Sequence, residues 1–253
     1  MFQRKKTIDV DRLSSSLIQE LPRALGDQLL ALIQYFPARV SSTQSEPDRI
    51  HLLILLDTMN MEVLSACADA INRLAGKEAL SPMILSRDEL LGSTDVFPIT
   101  FLEMQAKYKV LAGEDFLANL TVSDAHLRLR CEQELRNLLL RMQRTFILRK
   151  DSPRTLLDAL RQCNATLGRC MLAIEKLTVA FDGDHAASEA MNQDLQLDID
   201  LVKRIQELSE AKSAVGSVAV AEVFGALLTE VHRICAVVDR LGNEQALELD
   251  GSE

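Results

Sequence analysis

Residues 31–57, ALIQYFPARVSSTQSEPDRIHLLILLD, decide the fold of the N-terminal half. An apolar run from Leu29 to Tyr35 leads into a loop of turn formers, Ser41, Ser42, Thr43, Gln44, Ser45, Glu46 and Pro47. A second apolar run, Ile50 to Leu56, ends at Asp57. Runs of this length bounded by turn residues read as strand, loop, strand. Alternate residues on a strand point to one face, so positions i and i+2 where the second strand opens can act on the same ligand. Here those positions are Arg49 and His51.

Working outward, Val10 to Leu25 has helical spacing, with Pro22 expected to break or kink it. After Asp57, Val63, Leu64, Cys67, Ala70, Ile71 and Leu74 recur at helical spacing over Met61 to Ala75, and Gly76 is a suitable stop. This helix is expected to be a crossover. Pro82 to Leu85 reads as a buried strand, Arg87 to Leu91 as a short helix, and Val96 to Met104 as a strand in spite of Pro98. That alternation indicates an α/β sheet.

Beyond Leu120 the pattern is helical throughout. Ser123 is a good N-cap, and Leu127, Cys131, Leu135, Leu138, Met142 and Phe146 mark one long amphipathic helix. Asp151, Ser152 and Pro153 interrupt it. Further helices are expected over Arg154 to Val179 (Leu157, Leu160, Leu167, Met171 and Ile174 inward), Leu197 to Leu208, and Val218 to Leu241 (Phe224, Leu227, Leu228, Val231, Cys235 and Val238 inward). Gly183 lies in a loop, and LGNEQALELDGSE reads as a frayed acidic tail. The expected class is α+β: a mixed α/β sheet domain over 1–122, an antiparallel helical bundle over 123–245, and a tail over 246–253.

At 253 residues and 47% hydrophobic, the chain is long enough and apolar enough for two cores. No stretch approaches the roughly 20 apolar residues of a membrane span, and MFQRKKTIDV has no apolar signal core behind its basic residues, so a cytoplasmic protein is expected. The five cysteines, Cys67, Cys131, Cys163, Cys170 and Cys235, fall at apolar helical positions without CxxC pairing. Buried reduced thiols are expected rather than a metal site. Residues 1–150 hold 19 basic and 19 acidic residues and 151–253 hold 9 and 18, so the net charge of −9 belongs to the C-terminal part and argues against nucleic acid there. Two local basic clusters stand out: Arg4, Lys5, Lys6, and Arg141, Arg144, Arg149, Lys150. Each is either a solvated face or the seat of an anionic ligand.

Taken with residues 31–57, three further pieces resemble a bacterial group of nucleotidyltransferase-like proteins in the polymerase-beta-like nucleotidyltransferase superfamily. They are SxDVFPIxFLE (Ser93 to Glu103), the VLAGED turn (Val110 to Asp115) and HLRLRCEQELR (His126 to Arg136), in an order and spacing that cover most of 28–148. The resemblance implies a nucleotidyltransferase-like N-terminal domain whose first strand would end in Gly-Ser, with two carboxylates spaced one apart opening the next strand. A third carboxylate would follow on a later strand, where Glu103 falls. A helical C-terminal domain that positions substrate or mediates dimerisation is common in such proteins.

The site departs from that pattern. Phe36-Pro37 stands for Gly-Ser, so bulk is added and a backbone donor removed where a phosphate would approach. Arg49 and His51 stand for the metal-binding pair, and a guanidinium has no lone pair to give and repels the ion. A relocated ion site on His51, Asp57 and Glu103 is weak, because six residues of extended strand put Asp57 ~20 Å beyond His51. His126, His185 and His232 are scattered, and no GxSxG, Walker, GxGxxG or HExxH motif occurs.

The vestigial cleft therefore comprises Phe36, Pro37, Arg49, His51 and Glu103, with no catalytic or metal residue assigned and no cofactor expected. Two functions follow: a catalytically degenerate regulatory, ligand-binding or scaffold module, or a working metal-dependent nucleotidyltransferase with relocated ligands. Val215, Val218, Val220, Val223 and Val237 widen the last helix's apolar face, which leads to the expectation of a homodimer or protein partner through the C-terminal helices.

Overall fold

The computed structural model describes residues 10–37, 49–74, 76–179, 198–210 and 216–250. The chain divides into two compact units, one carrying the strands and one dominated by everything from Val122 onward.

In the sheet unit the order of elements is α1 (Val10–Leu25), β1 (Leu29–Tyr35), β2 (Ile50–Leu56), α2 (Met61–Asn72), β3 (Leu80–Ser86), α3 (Arg87–Gly92), α4 (Pro98–Ala106) and β4 (Tyr108–Gly113). The strands form one mixed sheet in the order β3-β2-β1-β4, with β1 antiparallel to β2 and β4 and with β2 parallel to β3. A parallel pair cannot be closed by a hairpin, which is why α2 lies between β2 and β3. Asn60 caps α2 by accepting a hydrogen bond from the Val63 N–H at 2.9 Å. Gly76, at φ 88°, supplies the left-handed turn beyond it.

β1 and β2 are the interior strands, and Leu52 to Leu56 are fully buried. Leu13, Leu17, Leu21 and Leu25 of α1, spaced by four, pack in one core with Leu32, Leu52, Ile54 and Leu56 and with Val63, Cys67 and Ala70 of α2. Pro22 does not end α1, which continues to Leu25.

The expected strand over Val96 to Met104 is instead helix α4. Pro98 occupies its first helical position, where a missing N–H costs nothing. Ile99, Phe101, Glu103 and Met104 are all buried, and an apolar run this short carries no period that separates strand from buried helix. Gln105 Nε2 ties α4 down by donating to the carbonyls of Leu117 and Leu120 at 2.9 and 2.7 Å. The strand that joins the sheet is β4, which takes up most of the segment read as the VLAGED turn. Only Asp115 beyond it closes a turn, accepting from the N–H groups of Leu117 and Ala118.

α3 begins with a capping box. The Ser86 hydroxyl accepts from the Glu89 N–H at 3.2 Å, and the Glu89 carboxylate accepts from the Ser86 N–H at 2.7 Å, which holds the Glu89 carboxyl below its usual range. Replacing Ser86 with alanine is expected to cost about 1 kcal/mol in urea unfolding. An unchanged midpoint would show that the cap contributes nothing.

The helical unit contains α5 (Asp124–Arg149), α6 (Pro153–Val179), α7 (Ile199–Glu210) and α8 (Ser217–Asp250). Leu127, Cys131, Leu135, Leu138 and Met142 of α5 face inward. Leu156, Leu160, Cys163, Leu167, Cys170 and Ile174 of α6 are buried with them, so Leu156 rather than Leu157 takes the inward place. Ser123 stands at the N-cap of α5 without a side-chain capping bond. All five cysteines are free and buried.

The backbone of α8 runs on to Asp250, past Leu241 and into the stretch read as a tail. Good helix formers such as Ala246, Leu247 and Glu248 outweigh the one weak position, Gly242. Of the valines expected to seek a partner, Val220, Val223 and Val237 are buried and Val218 is exposed, while Val215 lies outside the described residues. α5 also carries outward apolar side chains, Leu140, Ile147 and Leu148 among them. Among the described residues no helix is long and apolar enough to cross a membrane.

Candidate functional site

The candidate site lies where β1 ends and β2 begins. Tyr35 and His51 are cross-strand partners, and their rings meet with centroids 5.4 Å apart at 52°. Continuing that register sets Phe36 opposite Ile50 and Pro37 opposite Arg49. On the other side of β1, Tyr35 pairs with Tyr108, and the Phe36 N–H donates to the Lys107 carbonyl at 2.9 Å. The Lys107 ammonium stands 5.4 Å from the centre of the Phe36 ring.

Phe36-Pro37 is thus flanked by two exposed cations, Arg49 on the β2 side and Lys107 on the β4 side. Neighbouring strands are ~4.8 Å apart, so the two backbones are separated by ~10 Å. The register sets Arg49 on the face shared by Tyr35, His51 and Pro37, and Lys107 on the opposite face with Phe36, so the two cations stand on opposite sides of the strand end.

Glu103 is brought to this end by α4 rather than by a strand, and it is only 4% exposed. Its charge reaches Tyr35: burial first, and the Glu103 carboxylate second, push the Tyr35 phenol above its ordinary value. Tyr35, in contact with His51 and within reach of the Glu103 charge, thus shares its face of the strand end with His51 and Arg49.

Asp57 is elsewhere. It follows the opposite end of β2 from His51, is exposed, and donates its N–H to the Gln28 carbonyl at 2.9 Å. An ion shared by His51, Asp57 and Glu103 does not fit this geometry. The i, i+2 positions of β2 present a guanidinium and an imidazole, and among the described residues no group of three or more His, Cys, Asp or Glu could hold a metal ion. The residues present do not fit the paired divalent ions that the superfamily resemblance implies.

Tyr35 and Lys107 were not singled out from sequence. Tyr35 follows from pairing the two strands as a hairpin. Lys107 does not, because its place depends on β4.

No family model matches the chain, and no curated protein matches it. Among solved structures, the chain aligns with a spectinomycin adenyltransferase, AAD(9), from Enterococcus faecialis, crystallised with ATP and spectinomycin. The identity is 10% and the TM-score 0.47, over 88% of this chain and 100% of that one. It also aligns with a nucleotidyltransferase-like protein from Exiguobacterium sibiricum 255-15 at 12% identity and a TM-score of 0.33, over 93% of this chain and 76% of that one.

Proposed function

We propose that the chain is a catalytically degenerate nucleotidyltransferase-like protein that binds an anionic ligand at the β1/β2 end of its sheet, without a metal ion, as a regulatory module. The observation that carries this reading is the exposed Arg49 across from Pro37, on the strand face it shares with His51. The fixed positive charge of Arg49 takes the place of the ion that would otherwise neutralise a phosphate. The buried Glu103 carboxylate is close enough to Tyr35 to raise its phenol pKa and supplies a negative charge nearby.

Calorimetric titration with ATP, GTP, CTP and UTP, in magnesium and in chelator, tests this. We expect affinity to be indifferent to chelator and to fall about tenfold in Arg49→Ala, the scale of one lost charge-assisted hydrogen bond. A requirement for magnesium, or an Arg49→Ala chain that binds as well as the parent, would contradict it.

A further inference from the structure

A second cleft, of about 360 Å³, opens in the helical unit between the last turns of α5 and the first turns of α6. That volume is at the small end of organic-ligand sites, roughly 300–1,000 Å³. Its rim carries Arg141, Arg144 and Arg149 from α5, and its floor is apolar, made by Met142, Ala159 and Cys163. Thr155 and Gln162 of α6 add neutral hydrogen-bonding groups to the facing wall. Cys163 is buried there, which raises its thiol pKa to about 11 although Arg141 opposes the shift.

Many arginines of the helical unit are matched to carboxylates, but those on this rim are not. Elsewhere in the unit, Arg128 and Arg136 pair with Glu132, Arg130 with Glu134, Arg161 with Asp158 and Arg233 with Glu230. Among the described residues, Arg141, Arg144 and Arg149 form no ion pair with any carboxylate. The reason is visible in sequence: residues 135–150 contain five basic residues and no acidic one, inside a half of the chain that is otherwise acidic. Like charges gathered on one wall without counter-ions repel, and an anion in the cleft relieves that repulsion. Three guanidinium forks over an apolar floor match a multiply charged head on an apolar body.

We propose that this cleft binds a small soluble organic phosphate, its phosphate held by Arg141, Arg144 and Arg149 and its body laid on Met142, Ala159 and Cys163. The assignment uses no residue of the sheet unit, so it stands or falls apart from the reading of Arg49.

The test is made in the full chain carrying Arg49→Ala, so that the two sites are separated. Calorimetry with AMP and with phenyl phosphate is expected to give one saturable site, with inorganic phosphate binding more weakly. Adding Arg141→Gln and Arg144→Gln is expected to weaken AMP binding by about tenfold or more, and Arg128→Gln to leave it unchanged. Without ligand, the Arg141→Gln/Arg144→Gln chain is expected to melt at the same or a higher temperature, because repulsion has been removed. A lower Tm would mean that these arginines hold the fold and would overturn the assignment. So would the absence of saturable binding, or equal binding in the double variant. Sedimentation with phosphatidylserine vesicles that AMP does not displace would overturn it in favour of a lipid surface meeting Ile147 and Leu148.

Discussion

Replacing Gly113 with alanine is expected to destabilise the sheet unit by about 3–5 kcal/mol, the sum of a left-handed backbone penalty and an overpacking penalty. Gly113 has φ 79° and pairs with Ala31 at the end of β4. A Cβ there would collide with the Leu30 carbonyl and come within 2.9 Å of the Ala31 Cα, and these are backbone atoms that cannot swing aside. The adjoining Glu114 N–H, which donates to the Leu30 carbonyl at 3.1 Å, would be displaced as well. Urea unfolding of the purified variant measures the loss. A loss below about 1 kcal/mol, the ordinary cost of a surface change, would contradict the close approach of β4 to β1.

The second large effect is alkaline sensitivity. Burial lifts the Cys163 thiol from 9.0 to about 11, and a hydrogen bond to the neighbouring Cys170, with burial second, lifts Cys131 in the same direction. A group whose folded pKa is raised contributes stability that is complete below its unfolded value and is lost as pH climbs through its folded value. For Cys163 the window is therefore about pH 9 to 11. Two pKa units correspond to about 3 kcal/mol, at 1.36 kcal/mol per unit. Unfolding free energy is expected to fall steeply between pH 8.5 and 11, and to fall less steeply in Cys163→Ala, although that variant starts lower because of the cavity. A parent chain equally stable at both pH values would show that the thiols ionise freely.

The interior of the sheet was legible because β1 and β2 are continuous apolar runs with punctuation at both ends, Pro37 on one side and Asp57 on the other. α1 and α5 were legible because their leucines keep a spacing of three and four over several turns. The stretch from Val96 to Gly113 was not. Nearly every side chain from Pro98 to Met104 is buried, so burial erased the polar face that marks a helix, while the half-buried β4 reads as a turn around Gly113.

For the candidate site, Phe36, Pro37, Arg49 and His51 were singled out by where the nucleotidyltransferase resemblance falls on one strand pair. Glu103 was found at the right number but on the wrong element, and Lys107 was missed for the same reason, since both depend on where α4 hands over to β4. The basic run from Arg141 to Lys150 was visible as a cluster. That three of its arginines share one cleft with Thr155 and Gln162 depends on α5 and α6 folding back on each other.

The central claim is that the β1/β2 end binds anions and performs no chemistry on them. It is tested most directly by measuring pyrophosphate released from the four nucleoside triphosphates by the purified chain in magnesium and in manganese. Without paired carboxylates to hold the ions that stabilise an in-line displacement, release is expected to equal that of a heat-killed control. Release above that control, abolished by Glu103→Ala, would contradict the account.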